Sequence, residues 1–313
     1  MIRQRIDQLV DRGGTVVEQV CGEQVPKIDA SHLQRIGHAQ TIARGSDNRT
    51  SLKRVDLTNK TALITGASGG IGEEFAVQLA KRGVNLVLVA RRAEKLAELR
   101  TTLTSRHPNL TVDVVAADLA VPGSAPELAS KVSDLGRTVD ILVNNAGVGL
   151  HGKFVGQDAA ANSAQIQLNC GTLVDLTACY LPAMTKVGHG VVINVASTAA
   201  FQPTPGMAVY GATKAFVLSF TEALWQECKG TGVKVLALCP GATETEFFAR
   251  TGEEFLTDGR QTPKQVVDTA IAALDKSSPT VVSGWRNTLL ANGYRITPRR
   301  LMVQISEQLL KAN

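Results

Sequence analysis

The stretch TALITGASGGIG, Thr61 to Gly72, carries an apolar run from Ala62 to Ile64 into a glycine-rich turn, and the helical pattern IGEEFAVQLAKRG follows at once. A strand that breaks into glycines where a helix begins makes a place for an anion, because the unpaired N–H groups and the positive dipole end of the helix converge there. Gly66 permits the tight turn, Gly70 lets backbone approach a pyrophosphate without a Cβ in the way, and Gly72 allows close packing of helix on strand. The spacing is Gly66-x-x-x-Gly70-x-Gly72, a relative of the commoner G-x-G-x-x-G pattern, which fails here because Phe75 stands where its last glycine would be. On these residues alone the segment is a nucleotide-phosphate turn or a tight βα connection.

Outward from this turn the chain alternates strand and helix. Apolar runs at Ala62 to Thr65, Leu86 to Ala90, Val112 to Ala116, Ile141 to Val143, Val191 to Val195, Val233 to Leu238 and Val281 to Val282 are separated by helical patterns. That alternation predicts an α/β fold, a doubly wound parallel sheet of the Rossmann type with helices on both faces. Right-handed crossovers bring the carboxyl ends of such strands to one rim. The glycine turn, Asn144 to Gly147, Ser197 and Pro240 all follow strands and should meet there, with helices at about Asp158 to Val187 and about Tyr210 to Lys229 bringing Asn169, Tyr210 and Lys214 to the same place.

Tyr210 and Lys214 lie one helical turn apart in YGATK, and Ser197 ends the apolar run VVINVAS thirteen positions earlier. A phenol exchanges protons poorly at neutral pH because its ordinary pKa is about 10, so a neighbouring cation that stabilises its anion makes it useful. Lys214 shares a helix face with Tyr210 and is placed to be that cation, while Ser197 can hydrogen-bond the same reacting oxygen. Tyr-x-x-x-Lys alone is also an ordinary helix surface; the glycine turn is what gives it meaning.

From about Leu57 to Val282 the chain resembles the short-chain dehydrogenase/reductase family, in the branch whose turn reads TGxxxGIG, here Thr65 to Gly72. The family's other marks follow in order: Asp118 in VVAADL, Asn144-Asn145-Ala146-Gly147, Asn169 in IQLNCGT, Ser197, Tyr210 and Lys214, and Pro240-Gly241 with Thr245 in CPGATET. The resemblance implies a catalytic set of Asn169, Ser197, Tyr210 and Lys214. It also implies a cofactor site of Gly66, Ser68, Gly70, Ile71, Gly72, Arg91, Asp118, Leu119, Asn145, Ala146, Gly147, Tyr210, Lys214, Pro240, Gly241, Thr243 and Thr245. The implied chemistry is hydride transfer between a nicotinamide and a carbonyl or alcohol. Tyr210 would pass the proton, Ser197 would steady the oxygen, Lys214 would favour the tyrosinate and bond the nicotinamide ribose, and Asn169 would hold a relay water.

The cofactor's identity turns on the end of the second strand, NLVLVARR. An acidic residue there would hold a ribose 2′-hydroxyl and repel a 2′-phosphate; none is present, and Arg91 opens the loop, so NADP(H) is expected over NAD(H). Arg91 is then the implied 2′-phosphate contact, Asp118 an adenine partner, and Arg92 either a second contact or a solvated charge at a helix start. The specificity loop implied after Pro240, roughly Ala242 to Thr262, offers Phe247, Phe248 and Phe255 as apolar walls, to which Val148, Leu150, Phe154, Phe201 and Gln202 would add. Such walls suit a lipophilic ketone or acyl chain better than a sugar. An acyl-carrier substrate meeting Arg250 or the basic tail is a further alternative, as are an NADP(H)-binding sensor and an isomerase or lyase on the same fold.

The 313 residues include 44% hydrophobic and 19% charged ones, ordinary for a soluble globular chain with a sizeable core. Five scattered cysteines, Cys21, Cys170, Cys179, Cys228 and Cys239, without C-x-x-C spacing, suit a reducing cytoplasm better than a disulfide framework, and the five histidines show no ligand spacing, so no metal is expected. Cys239, beside the Pro240-Gly241 turn, reads as a ligand neighbour or as an apolar strand residue. A net charge of +5 and a pI of about 9.0 are spread among acids, against a nucleic-acid partner. Basic residues concentrate only at the end, where residues 285–313 read as an amphipathic tail for the domain, a second subunit or a membrane surface. Residues 1–56 lie outside the family pattern. MIRQRIDQLVDR reads as a helical arm rather than a presequence, since Asp7, Asp11 and Glu18 are acidic, and QTIARGSDNRTS reads as a linker. The catalytic domain is thus expected over 57–284, as a homodimer or homotetramer by resemblance.

Overall fold

The computed structural model describes residues 55–247, 260–294 and 297–310; the expected N-terminal arm and linker, with Phe248, Arg250 and Phe255, lie outside them. Seven strands form one sheet: β1 (Thr61–Thr65), β2 (Asn85–Ala90), β3 (Val112–Ala116), β4 (Ile141–Asn144), β5 (Gly190–Val195), β6 (Val233–Cys239) and β7 (Thr280–Val282). Every pairing is parallel and the order is β3-β2-β1-β4-β5-β6-β7. The chain reverses its direction of winding between β1 and β4, the switch point where open α/β sheets keep their ligands.

Strands covered on both faces are apolar throughout, and β1 is buried at all five positions. Successive side chains alternate between two cores. Ile64, Leu86, Leu88 and Ile193 face Phe75 and Leu79 of α1 (Gly70–Ala80), the leucines of α2 (Ala93–Arg106) and Val266 and Val267 of α7 (Pro263–Leu274). Their neighbours Leu63, Val87, Val89 and Val192 face Leu128 and Val132 of α3 (Ser124–Asp134) and Leu176 and Met184 of α5 (Thr172–Val187). Packed into a third cluster is α6 (Ala208–Glu227), through Val217 and Leu218.

One long helix was expected over about Asp158 to Val187. The structure divides it into α4 (Ala159–Ile166), a π-helical turn (Gln167–Gly171) and α5. The Thr172 N–H reaches back to the Gln167 carbonyl, five residues away, so the turn carries one extra residue, and that extra residue brings Asn169 to 1% exposure. The expected tail is two helices, α8 (Trp285–Gly293) and α9 (Arg299–Leu310). It packs on the domain: Met302 and Ser306, one turn apart on α9, are buried, while Leu301, Val303 and Ile305 face outward. No helix of the described residues is long and apolar enough to cross a membrane.

Candidate active site

At the carboxyl rim the glycine turn after β1 is built by the absence of side chains. Gly66 and Gly70 hold φ of +67° and +58°, where a Cβ is strained. A Cβ on Gly72 would collide with the Gly66 carbonyl and stand 2.6 Å from Asn145 Nδ2, so the first turn of α1 rests directly on the loop. Asn145 stitches that loop to the one after β4. Its amide donates to the carbonyls of Thr65 (2.9 Å) and Gly66 (3.3 Å), and Thr65 Oγ1 accepts from the backbone N–H of Asn145 and of Ala146 (2.9 and 3.0 Å).

These contacts open a cleft of about 230 Å³ along the switch point. The glycine turn, Ile71, Ala146 and Gly147 form its inner side, Asp118 and Leu119 one flank, and Arg91 and Arg92 the outer end. The residues fit a nicotinamide dinucleotide: free N–H groups of the α1 terminus face a wall without Cβ atoms, and two guanidinium-bearing residues close the end of β2 where no acid stands. Arg92 is not a solvated charge. Its Nε and Nη2 donate to Ser68 Oγ (3.2 and 3.1 Å), Nη2 also to the Ser68 carbonyl (2.9 Å), and Nη1 meets Glu246 Oε2 at 2.7 Å. Arg91 is exposed. Asp118, also exposed, accepts from the Ala120 N–H.

Beside this cleft the polar residues of β5, α6 and the π-turn converge. Ser197 follows β5 and caps a 3₁₀ turn (Thr198–Phe201), its Oγ accepting from the Ala199 N–H at 3.1 Å. Burial pushes the pKa of the Tyr210 phenol up to about 12, and the neighbouring Ser197 hydroxyl offsets that rise only in part. Lys214 Nζ donates to the Val195 carbonyl at 2.8 Å and lies 5.8 Å from the centre of the Tyr210 ring. Burial takes its pKa down to about 8. Desolvation is the largest influence on both groups, and the ammonium donates to a backbone carbonyl beside the Tyr210 ring.

Asn169, on the π-turn, bonds protein groups on two sides. Its Oδ1 accepts from the Val148 N–H (3.0 Å), and its Nδ2 donates to the Val148 carbonyl (2.9 Å) and to Thr213 Oγ1 (3.0 Å). Thr213 in turn donates to the Tyr210 carbonyl at 2.7 Å. The amide clamps the loop after β4 to the helix that carries Tyr210, and its Oδ1 keeps a second acceptor position.

The sequence model of the short chain dehydrogenase family matches residues 60–255. The chain belongs to that family. An uncharacterized oxidoreductase of Staphylococcus epidermidis is 34% identical over 222 residues, which cover 71% of this chain and 94% of the relative. Among solved structures, a short-chain dehydrogenase from Sphingobium yanoikuyae in complex with NADPH superimposes with a TM-score of 0.69 at 32% identity, covering 81% of this chain and 98% of that one. The bulky-bulky ketone specific alcohol dehydrogenase from Comamonas testosteroni gives 0.67 at 31% identity, covering 81% and 96%.

In this short chain dehydrogenase a second cleft, of about 190 Å³, joins the first through Ile71, Asn145, Gly147, Thr245 and Phe247, and has Ser197, Tyr210 and Lys214 in its wall. Pro240, Gly241 and Thr243 form its other side; the Thr243 hydroxyl donates to the Gly241 carbonyl at 3.0 Å. Thr245 sits against Gly70, its Cγ2 2.8 Å from where a Cβ would stand. Of the expected apolar walls, Phe247 lies 5.3 Å from the Tyr210 ring and Gln202 lines the cleft, but Phe154 is 62% exposed and is no wall. Val148 belongs to the first cleft. Cys239 is an apolar strand residue, fully buried, with its thiol pushed up to about 12 by that burial.

Sequence reasoning missed three contributors. Thr213 lies inside YGATK and gave no signal of its own. Asn287 of α8 backs the turn after β6, where a Cβ on Gly241 would collide with its amide, and Ser306 of α9 donates to Gln202 Oε1 at 3.0 Å. Both come from the tail, which carries no family motif. Among the described residues no cluster of histidine, cysteine and carboxylates could hold a metal, and the described cysteines are free.

Proposed function

We propose that this protein is an NADP(H)-dependent reductase or dehydrogenase that interconverts a lipophilic ketone or acyl-type carbonyl with its alcohol. The observation that carries the reading is the grouping of Ser197, Tyr210 and Lys214 in the wall of a cleft that runs into the glycine-turn cleft. The bound nicotinamide supplies or accepts the hydride. Tyr210, protonated at neutral pH with a pKa of about 12, delivers its proton to the substrate oxygen in the reducing direction. Ser197, its lone pair engaged by the Ala199 N–H, aims its own hydrogen at the same oxygen. Lys214 supports the ribose side of the cleft, and Asn169 and Thr213 fix the helix that carries Tyr210.

Arg91 and Arg92, without an acid at the end of β2, support the 2′-phosphate form of the cofactor, as does the NADPH bound to the Sphingobium relative. Met207, Phe247 and Ala199 give the substrate cleft apolar walls that suit a bulky ketone, the substrate class named for the Comamonas relative. Exposed Ile166 and Phe216, on α4 and α6, suit burial in a homodimer or homotetramer.

The test is NADPH oxidation against 3-oxoacyl thioesters, steroids, aromatic ketones and small aldehydes. Turnover is expected with a bulky or acyl carbonyl, with Tyr210→Phe about 10²- to 10⁴-fold slower and binding NADPH within a few fold of the parent. Substantial activity in Tyr210→Phe would overturn the assignment. Binding without turnover anywhere on the panel would favour a sensor or an isomerase.

A further inference from the structure

We propose that Glu246 is a cofactor-discriminating residue: its carboxylate is an internal counter-ion for Arg92 that a ribose 2′-phosphate must displace. The inference rests on the NADP(H) reading and concerns how strongly that preference is expressed.

In dinucleotide folds the acid that disfavours a 2′-phosphate stands at the end of the second strand. Here that place holds Arg91 and Arg92, and the acid arrives instead from the segment after β6, 154 residues along the chain. Glu246 Oε2 and Oε1 lie 2.7 and 3.1 Å from Arg92 Nη1, and Oε1 also accepts from Lys95 Nζ at 3.1 Å. The remaining donors of Arg92 are committed to Ser68 on the glycine turn, so its Nη1 edge is the part that an incoming anion would take, and Glu246 occupies it. Ser68, Arg92 and Glu246 line the cofactor cleft, and Glu246 also borders the adjoining cavity that holds Lys95.

Competition follows from charge. A phosphate dianion and a carboxylate seek the same guanidinium edge, and a ligand that takes it must first release Glu246 toward Lys95 or solvent. A ligand with a free 2′-hydroxyl leaves the Arg92–Glu246 pair intact and loses nothing. The two side chains are 33% and 45% exposed, so the effect is modest. The Glu246 backbone is held between Thr245, which rests on Gly70, and Phe247, which rests on Tyr210, so its carboxylate stays within reach of Arg92.

The experiment measures binding of 2′,5′-ADP and 5′-AMP by calorimetry to the full chain, to Glu246→Gln and to Arg92→Gln, with thermal melts to verify folding. Glu246→Gln should tighten 2′,5′-ADP about three- to fivefold and change 5′-AMP less than about twofold. Arg92→Gln should narrow the difference between the two ligands, leaving what Arg91 supplies. A structural role for Glu246 would weaken both ligands alike and overturns the proposal, as does an unchanged ratio. If the parent does not distinguish the ligands, the NADP(H) reading fails; the proposal then stands only if discrimination emerges in Glu246→Gln, and falls with it otherwise.

Discussion

The two joined clefts are of similar size, about 230 and 190 Å³, yet they are built by opposite means. The cofactor cleft is made largely of backbone. Its turn depends on missing Cβ atoms, and its polar side chains, Asn145 and Thr65, are consumed in holding loop to loop. The reaction cleft is made of side chains pressed out of water: Ser197, Asn169 and Lys214 are buried, and the hydrogen bonds of Asn169 and Lys214 reach partners 19 to 44 residues away. Backbone cradles are stable but say little about the ligand's reactive end. Buried titratable groups carry reactivity and cost stability.

Lys214 puts that contrast to its largest test. A lysine taken from an ordinary pKa of 10.5 to about 8 by burial costs the fold on the order of 3 kcal/mol at neutral pH. Lys214→Met should therefore lower reductive turnover by about 10²-fold or more while its melting temperature at pH 7 does not fall. The pH dependence has a defined sign. The folded protein gives up the Lys214 proton near pH 8 and the unfolded chain near 10.5, so between these the unfolded state binds more protons and the parent gains stability on Lys214→Met as pH rises. Paired melts at pH 7, 8, 9 and 10 check this. A variant that melts lower at every pH would mean that the hydrogen bond to the Val195 carbonyl outweighs the burial cost.

The backbone cleft should fail differently. Gly72→Ala places a Cβ against the Gly66 carbonyl, an obstacle that cannot rotate away, and should cost about 2 kcal/mol or more, lowering the melting temperature by several degrees. Gly70→Ala meets only the movable Thr245 side chain and a left-handed φ, and should cost about half as much. Equal losses would mean that the cradle yields as a whole.

That difference also explains what the sequence could reveal. The strands, their parallel pairing and the rim were legible because alternating strand and helix patterns and glycine spacing are local, and β3 begins and ends where its apolar run does, at Val112–Ala116. Ser197, Tyr210 and Lys214 were legible for the same reason, two of them sharing one helical turn. The π-turn at Asn169 was not, since one extra residue in a helix leaves the apolar period of its flanks nearly unchanged. Nor was the acid on Arg92, which comes from a segment 154 residues away, or the tail's hold on Gln202 across 104 residues. Such pairs are made by topology, and no window along the chain contains both members.

Gln202 offers the smallest and sharpest test, because it is the point where the tail touches the reaction cleft. Ser306, fully buried on α9, donates to its Oε1 at 3.0 Å. That bond fixes the rotamer of a side chain in the cleft wall, so releasing it should loosen substrate binding without touching the proton path. Ser306→Ala is expected to cost about 1 kcal/mol of stability and to raise KM for the best carbonyl substrate about two- to threefold at unchanged kcat. Ser306→Thr, which keeps the hydroxyl, should restore KM. A fall in kcat instead would place α9 in the alignment of Tyr210 and make the tail part of the catalytic apparatus. An unchanged KM would confine it to closing the core behind Gly241, where Asn287 already stands.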